Sequence, residues 1–335
     1  MGEGPARVRL PPPAHNTHKR GVRLSGLFYL LVGIVLLSTG ANIAVSGAAR
    51  LARALGVDKY GIGATIVATI TSLPELAVAS IAVVKGEPDI AIGAAFGSTL
   101  GLILLSLGVL GIITKIRFDR TRKREVLWAT IIITWVTAVA VSVRSIGPAM
   151  GAILLGLYFA YMRMVGQGGF TETAEEKSRV GGAIKGVALV VVGIVAVITG
   201  AGFVVEGGKT IARSFGIPEF FVAVFVVGLG TNLPELAVSV GAALKGHTQI
   251  AVGNILGSAV ANLTLVLGTA AVIGGLTGKN VVFNSTAHLV AGLMLSVTLV
   301  GAKLSRDEEV SRGEAAALVA LYVLLVCAEL LLSST

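Results

Sequence analysis

The chain has 335 residues, of which 54% are hydrophobic and only 13% are charged. Ordinary soluble proteins carry about 25% charged residues, so this composition excludes a typical soluble domain. The single cysteine, Cys327, excludes a disulfide framework and a cysteine metal site, and the net charge of +9 comes from basic residues between apolar segments, which favours membrane topology over nucleic-acid binding.

The N-terminal residues 1–24 are polar and basic and contain three consecutive prolines, and we predict a mobile tail there. The apolar run that begins at Ser25 is too long for the core of a signal peptide, so it is the first candidate span. The apolar runs repeatedly reach the about 20 residues that cross a bilayer core. We predict ten membrane-spanning helices, at residues 26–46, 61–84, 89–113, 126–143, 147–165, 183–206, 219–244, 249–275, 282–302 and 313–333.

The ten spans form two groups of five, and the second group repeats the first. Residues correspond at a constant offset of 160, so that Lys85-Gly86 matches Lys245-Gly246 and Gly97-Ser98 matches Gly257-Ser258. Because five is an odd number, corresponding spans cross the membrane in opposite directions, as in the inverted repeats of many secondary transporters. We therefore predict an all-α integral membrane protein. It has a polar tail at residues 1–24 and two inverted five-helix repeats at residues 25–165 and 183–335, which a linker at residues 166–182 joins.

The basic residues predict the orientation of the spans. Of the 27 lysines and arginines, 17 fall in the loops after spans 1, 3, 5, 7 and 9, and the other 10 fall on the opposite side. Cytoplasmic loops carry an excess of lysine and arginine. We therefore predict a multi-pass protein of the cell membrane with a cytoplasmic linker and both termini outside the cell.

A short motif occurs twice, once in each half, as residues 71–76 (Thr-Ser-Leu-Pro-Glu-Leu) and residues 231–236 (Thr-Asn-Leu-Pro-Glu-Leu). Each copy places a carboxylate, Glu75 or Glu235, inside an apolar span, where a charged residue is costly and usually functional. Proline removes a helical hydrogen bond, so Pro74 and Pro234 are expected to kink or break spans 2 and 7 and to free backbone carbonyls.

The residues around the two carboxylates are rich in neutral oxygen atoms. The motifs themselves contribute Thr71, Ser72, Thr231 and Asn232, and the next spans contribute Ser98, Thr99, Asn254, Ser258 and Asn262. Such an all-oxygen set suits hard cations such as Ca²⁺ or Na⁺ rather than Zn²⁺. The charge of two glutamates is neutralised by one Ca²⁺ or two Na⁺, so alternating occupancy by Ca²⁺, Na⁺ or protons would provide obligatory exchange.

The motifs and the inverted duplication resemble the calcium/cation antiporter superfamily, particularly the prokaryotic sodium/calcium exchangers. The run Gly61–Ala68 before the first motif and the run Gly253–Ser258 after the second are also similar to that family. The resemblance implies ten helices, with ions bound midway through the membrane between spans 2, 3, 7 and 8, and with spans 1 and 6 sliding to alternate access. It implies Glu75 and Glu235 as central ligands, with further oxygens from Ala68, Thr71, Ser72, Ser98, Gly228, Thr231, Asn232, Ser258 and Asn262.

The sequence departs from the family pattern mainly in its first half. Ala94, Thr99 and Leu102 stand where asparagines or other polar residues are usual, and Asn262 stands where an acidic residue often occurs. These differences leave the number of bound Na⁺ ions and the identity of the coupling ion, Na⁺ or H⁺, open.

The sequence predicts a secondary antiporter that exchanges Ca²⁺ for Na⁺, with no cofactor besides the transported ions. Inorganic cations and the lipid bilayer are the expected partners; no protein partner can be inferred. The alternatives are a Ca²⁺/H⁺ or K⁺-dependent antiporter, or, from another class, a cation channel. An intramembrane hydrolase is disfavoured because no histidine or nucleophile–base pair accompanies the acidic motifs.

Overall fold

The structure is a computed structural model that describes residues 14–54, 72–118, 120–165, 180–246, 248–283, 285–304, 306 and 309–333. These residues are mostly helical, because the apolar runs satisfy their backbone groups within each segment. The helices are α1 (Ala14–Ala54), α2 (Leu73–Lys85), α3 (Pro88–Ile113), α4 (Arg120–Ser142), α5 (Pro148–Val165), α6 (Val180–Phe215), α7 (Glu219–Leu244), α8 (Thr248–Leu276), α9 (Ser285–Leu304) and α10 (Arg312–Ser333).

Eight of these helices contain a stretch long and apolar enough to cross a membrane, namely α1, α3 to α8 and α10. Within the described residues, α2 has 13 residues and the apolar part of α9 is Met294–Leu304. Residues 61–71 of the predicted span 61–84 lie outside the described residues. The predicted start of span 9 at residue 282 is wrong, because a short strand occupies Val281–Val282 and the helix begins at Ser285.

Helix α1 begins at Ala14, ten residues before the end of the predicted polar tail. It begins directly after the run Pro11-Pro12-Pro13, where proline prevents a helix from extending further towards the N-terminus. Residues 14–54 contain no proline, so their polar start continues without a break into the apolar segment. Residues 1–13 of the expected tail lie outside the described residues.

Three helices contain a π-helical segment: Gly101–Ser106 in α3, Ala223–Val227 in α7 and Asn262–Val266 in α8. Such segments are rare and occur frequently at functional sites. Those of α3 and α8 occupy corresponding positions of the 160-residue repeat. Each therefore widens its helix near Leu102 or Asn262, one of the corresponding pairs at which the two halves of the sequence differ.

Four two-residue strands connect loops that are distant in sequence. Strand β1 (Ile116–Arg117) pairs antiparallel with β4 (Glu309–Val310), and β2 (Ser145–Ile146) pairs antiparallel with β3 (Val281–Val282). The first pair joins the loops after α3 and α9, and the second joins the loops after α4 and α8. Each pair therefore joins loops that the sequence analysis assigns to one and the same side of the membrane.

Helices α3, α7 and α8 are the most buried of the candidate spans, whereas α1 and α6 expose most of their surface. Helices α1 and α6 pack against each other along their lengths. Helix α3 contacts α2, α7 and α8, so the segments that carry the two acidic motifs surround a common centre. This arrangement positions the candidate site.

Candidate cation-binding site

The first motif begins a helix. Ser72 is the residue that precedes α2, and Pro74 lies in the first turn, where its missing N–H has no helical partner to lose. The following residue, Glu75, is only 1% exposed. The first turn of α2 therefore presents a carboxylate to the interior.

The second motif lies inside a helix, so of the two effects expected of Pro234, a kink or a break, the structure excludes the break. The helical segment Gly228–Leu244 continues through Pro234. Proline has no N–H to donate to the carbonyl oxygen of Gly230, four residues earlier, so the helix passes Pro234 without that hydrogen bond. Glu235, next to the proline, is 3% exposed. The two halves thus present corresponding carboxylates from different local backbone structures.

Hydrogen bonds connect α3 to the second motif. The hydroxyl of Ser98 donates to the carbonyl oxygen of Gly228 (3.3 Å) and lies 3.2 Å from the hydroxyl of Thr231. The amide nitrogen of Asn232 donates to the carbonyl oxygen of Ser98 at 2.7 Å. A methyl group on Gly228 would lie 2.8 Å from the backbone nitrogen of Ser98, so this close approach requires glycine. Four predicted site residues are thereby brought into contact.

Several buried polar atoms at this centre have no hydrogen-bond partner among the described residues. They are both carboxylate oxygens of Glu75, one carboxylate oxygen of Glu235, the amide oxygen of Asn232 and both amide atoms of Asn262. Buried polar groups are almost always paired, and each exception requires an explanation. Unpaired oxygens around two buried carboxylates are the arrangement expected where a cation binds.

The remaining predicted site residues fall into two groups. Ser72, Ser258 and Asn262 are buried, and the π segment that carries Asn262 contacts α2. Ala68 and Thr71 lie outside the described residues. No group of three or more His, Cys, Asp or Glu side chains that could hold a metal occurs in the described parts of the chain. The candidate ligands are therefore oxygen atoms of carboxylates, hydroxyls, amides and carbonyls.

Two departures from the family pattern have structural explanations. The hydroxyl of Thr99 donates to the carbonyl oxygens of Ala95 (2.9 Å) and of Ala259 (3.4 Å), and so joins α3 to α8. Thr99 and Ala259 correspond to each other in the repeat, so a polar residue in one half meets a small residue in the other. Ala94 is fully buried against an apolar surrounding.

The sequence analysis missed the partner of Asn254. Its amide nitrogen donates to the hydroxyl of Ser239 on α7 at 3.1 Å. A signal was present in the sequence, because Asn254 and Ser239 correspond to Ala94 and Ala79 in the first half. Both members of the pair differ together between the two halves.

Comparisons with known proteins identify the family of the chain. The sequence pattern of the family described as sodium/calcium exchanger protein matches residues 25–166 and 185–331. The uncharacterized membrane protein MJ0091 of Methanocaldococcus jannaschii is 30% identical over 302 residues, which cover 90% of this chain and 97% of that protein. The sodium/calcium exchanger MaX1 of Methanosarcina acetivorans is 26% identical over 341 residues, which cover 88% of this chain and 95% of that exchanger. The solved structure of the sodium-calcium exchanger NCX_Mj, soaked with Na⁺ and Sr²⁺, matches with a TM-score of 0.61 at 28% identity and covers 91% of this chain and 98% of its own.

Proposed function

Because the chain belongs to the sodium/calcium exchanger family, a family of multi-pass membrane transporters rather than enzymes, we propose that it exchanges Ca²⁺ for Na⁺ by secondary active antiport. The observation that carries the proposal is the group of buried, unpaired oxygens around Glu75 and Glu235. Five of these oxygens belong to side chains of the two acidic motifs or of Asn262. Ca²⁺ takes six to eight oxygen ligands, and carboxylates and amides are among its usual ligands.

The proposed ligands come from the two acidic motifs and from the segments next to them in sequence or in space. Glu75 and Glu235 would supply the charge, and the side chains or backbone carbonyls of Ala68, Thr71, Ser72, Ser98, Gly228, Thr231, Asn232, Ser258 and Asn262 would supply neutral oxygens. The hydroxyls of Ser98 and Thr231 are 3.2 Å apart and each can turn a lone pair towards a cation. Two carboxylates match one Ca²⁺ in charge, and their mutual repulsion favours occupied states over an empty site.

Ten spans in two inverted repeats are the proposed frame for alternating access. The 160-residue register supports it, as does the contact of Thr99 with Ala259, because an axis relating two repeats passes between corresponding residues. The strand pairs support it too. The loop after α3 corresponds to the loop after α8, and the loop after α9 corresponds to the loop after α4, so interchanging the two halves maps the pair β1–β4 onto the pair β3–β2. We propose repeat boundaries at 25–165 and 183–335, joined by 166–182.

The proposed orientation follows from the basic residues. The loops after α3 and α9, which β1 and β4 join, would face the cytoplasm. The protein would then lie in the plasma membrane with the N-terminal end of α1 and the C-terminal end of α10 on the extracellular side. Labelling of single cysteines from each side tests this orientation, in a variant in which Cys327 is replaced.

Uptake of ⁴⁵Ca²⁺ into proteoliposomes tests the proposed function. We expect uptake when Na⁺ is loaded inside, at clamped voltage, and a reduction of at least about a hundredfold in Glu75→Gln and Glu235→Gln, because each removes a charge that binds the cation in a low-dielectric interior. Glu206→Gln is the matched control, since Glu206 is half exposed and pairs with Lys85 at 3.7 Å. Uptake driven by a proton gradient alone would identify H⁺ as the coupling ion, and undiminished uptake by both motif variants would refute the site.

A further inference from the structure

A hydrogen bond joins α7 and α8, two helices of the second half, beside the candidate site. The amide nitrogen of Asn254 on α8 donates to the hydroxyl of Ser239 on α7 at 3.1 Å, and Ser239 is fully buried. Ser239 lies four residues after Glu235, and Asn254 lies four residues before Ser258. Residues four apart share a helix face, so this bond lies one turn away from two proposed ligands.

The first half has alanine at both corresponding positions. Ala79 and Ala94 lie four residues after Glu75 and four residues before Ser98, and both are fully buried. Packing of apolar side chains is non-directional, whereas a hydrogen bond weakens steeply when its angle departs from linearity. Rotation of α7 about its axis, which would move Glu235, therefore breaks the bond, while alanines at the corresponding positions place no directional restraint on α2.

We propose that Asn254 and Ser239 are positioning residues that hold Glu235 and Ser258 at a fixed separation, and that Glu75 lacks an equivalent restraint. The inference rests on the proposed cation exchange and adds that the two carboxylates differ in how firmly their positions are fixed. Neither residue is among the proposed ligands. The fixed carboxylate defines the geometry offered to the incoming cation, and the less restrained one adjusts to it.

The test compares cation affinity with stability in three full-length variants: Asn254→Ala, Ser239→Ala and the double variant. The double variant carries the two alanines that already occupy the corresponding buried positions of the first half, so it is expected to fold. ⁴⁵Ca²⁺ uptake gives KM and kcat, and thermal unfolding gives Tm. We expect both single variants to raise KM for Ca²⁺ about fivefold, because each loses one hydrogen bond, and to change kcat less.

The double variant separates positioning from packing. A positioning role predicts that the double variant regains the Tm of the wild type while its KM stays raised, because no group remains buried without a partner but the restraint is still absent. Recovery of both Tm and KM would overturn the inference and leave a packing role only. An unchanged KM in all three variants would overturn it as well. Absence of ⁴⁵Ca²⁺ uptake by the wild-type protein would instead refute the proposed function, so the two failures are distinct.

Discussion

Gly33 on α1 and Gly200 on α6 face each other so closely that neither position accepts a side chain. A methyl group on Gly33 would lie 2.8 Å from the carbonyl oxygen of Gly200, and a methyl group on Gly200 would lie 2.8 Å from the carbonyl oxygen of Gly33. The same relationship joins Gly40 with Gly193 and Gly47 with Gly186. The glycines recur every seven residues, so the two antiparallel helices touch backbone to backbone at every second turn.

We expect Gly200→Ala to destabilise the protein, because the added methyl group forces the two backbones apart, at a cost of about 1–3 kcal/mol. Gly202→Ala is the matched control on the same helix, since a methyl group there meets no atom within 4 Å. Alanine at that open helical position should be neutral or stabilising by up to about 1 kcal/mol. Thermal unfolding of both variants in the same detergent measures the difference, and an equal Tm for the two would contradict this packing.

The contrast between these glycines and the acidic motifs explains what the sequence could predict. The eight candidate spans were predictable because bilayer thickness fixes the length of an apolar run, and the motifs stood out because two glutamates interrupt such runs at a constant offset. The glycine pairing was also encoded, since Gly26, Gly33, Gly40 and Gly47 recur 160 residues later. Its partner helix was not predictable, because one sequence with many glycines permits several pairings.

The finer features of the site depend on contacts between distant helices. In the sequence, Thr99 stands where the family has a polar ligand. Its hydrogen bond to the carbonyl oxygen of Ala259 instead places it where α3 contacts α8. Asn254 could be assigned to the polar neighbourhood of the site, but its bond to Ser239 depends on how α7 is rotated against α8. The π segments escaped prediction because no side-chain pattern distinguishes one widened turn from the α-helix around it.

Glu87, which lies outside the candidate spans in the loop before α3, predicts a pH dependence of stability. Its carboxylate lies 2.5 Å from the ammonium group of Lys209 on α6. Burial raises the pKa of Glu87, but hydrogen bonds with Lys209 and Glu219 and the charges of Lys209 and Arg213 together outweigh that effect and hold the pKa below its ordinary value of 4.5. A carboxyl with a lowered pKa in the folded state contributes its full stabilisation above the ordinary value and loses it as the pH falls through the folded-state pKa.

We therefore expect Glu87→Gln to lower stability by about 1 kcal/mol at neutral pH, a value typical of a favourable partly buried pair. The difference in stability between wild type and this variant should shrink as the pH falls below 4.5. Thermal unfolding across that range measures it, and Glu206→Gln, whose carboxylate is more exposed and lies 3.7 Å from Lys85, should show a smaller effect. A difference that grows on acidification would contradict the assignment.

We expect a substitution of Leu102 by asparagine to strengthen the response of transport to Na⁺. It corresponds to Asn262 in the repeat, both side chains are buried, and the amide of Asn262 has no partner among the described residues. Leu102→Asn would place a second amide at the equivalent position, where a bound cation compensates the cost of burying it. We expect half-maximal Na⁺-driven ⁴⁵Ca²⁺ transport at a lower Na⁺ concentration, by about threefold or more.

The control for that variant is Leu104→Asn, which buries the same amide two residues further along α3, pointing in a different direction. It should reduce stability by about 1–3 kcal/mol without changing the Na⁺ dependence. If Leu102→Asn and Leu104→Asn destabilise equally and neither alters the Na⁺ dependence, the position of Leu102 lies outside the cation path.

Asn232 predicts a loss of affinity that distinguishes the two motifs. It corresponds to Ser72, and its amide nitrogen donates to the carbonyl oxygen of Ser98 at 2.7 Å while its amide oxygen has no partner among the described residues. This bond fixes the orientation of the amide plane, so the amide oxygen, which is bonded to the same carbon as the nitrogen, is held pointing away from the Ser98 carbonyl. We expect Asn232→Ser, which makes the two motifs identical, to raise KM for Ca²⁺ about tenfold through loss of an oriented oxygen.

A second variant tests the orientation of the same amide without removing it. A methyl group on Gly101 would lie 2.8 Å from the amide nitrogen of Asn232, so Gly101→Ala should displace the amide and raise KM in the same direction by a smaller factor. Gly257→Ala is the matched control, because a methyl group there meets no atom within 4 Å and KM should stay at the wild-type value. Equal KM values for Gly101→Ala and Gly257→Ala, alongside a raised KM in Asn232→Ser, would mean that the oxygen matters but that its aim does not depend on Ser98.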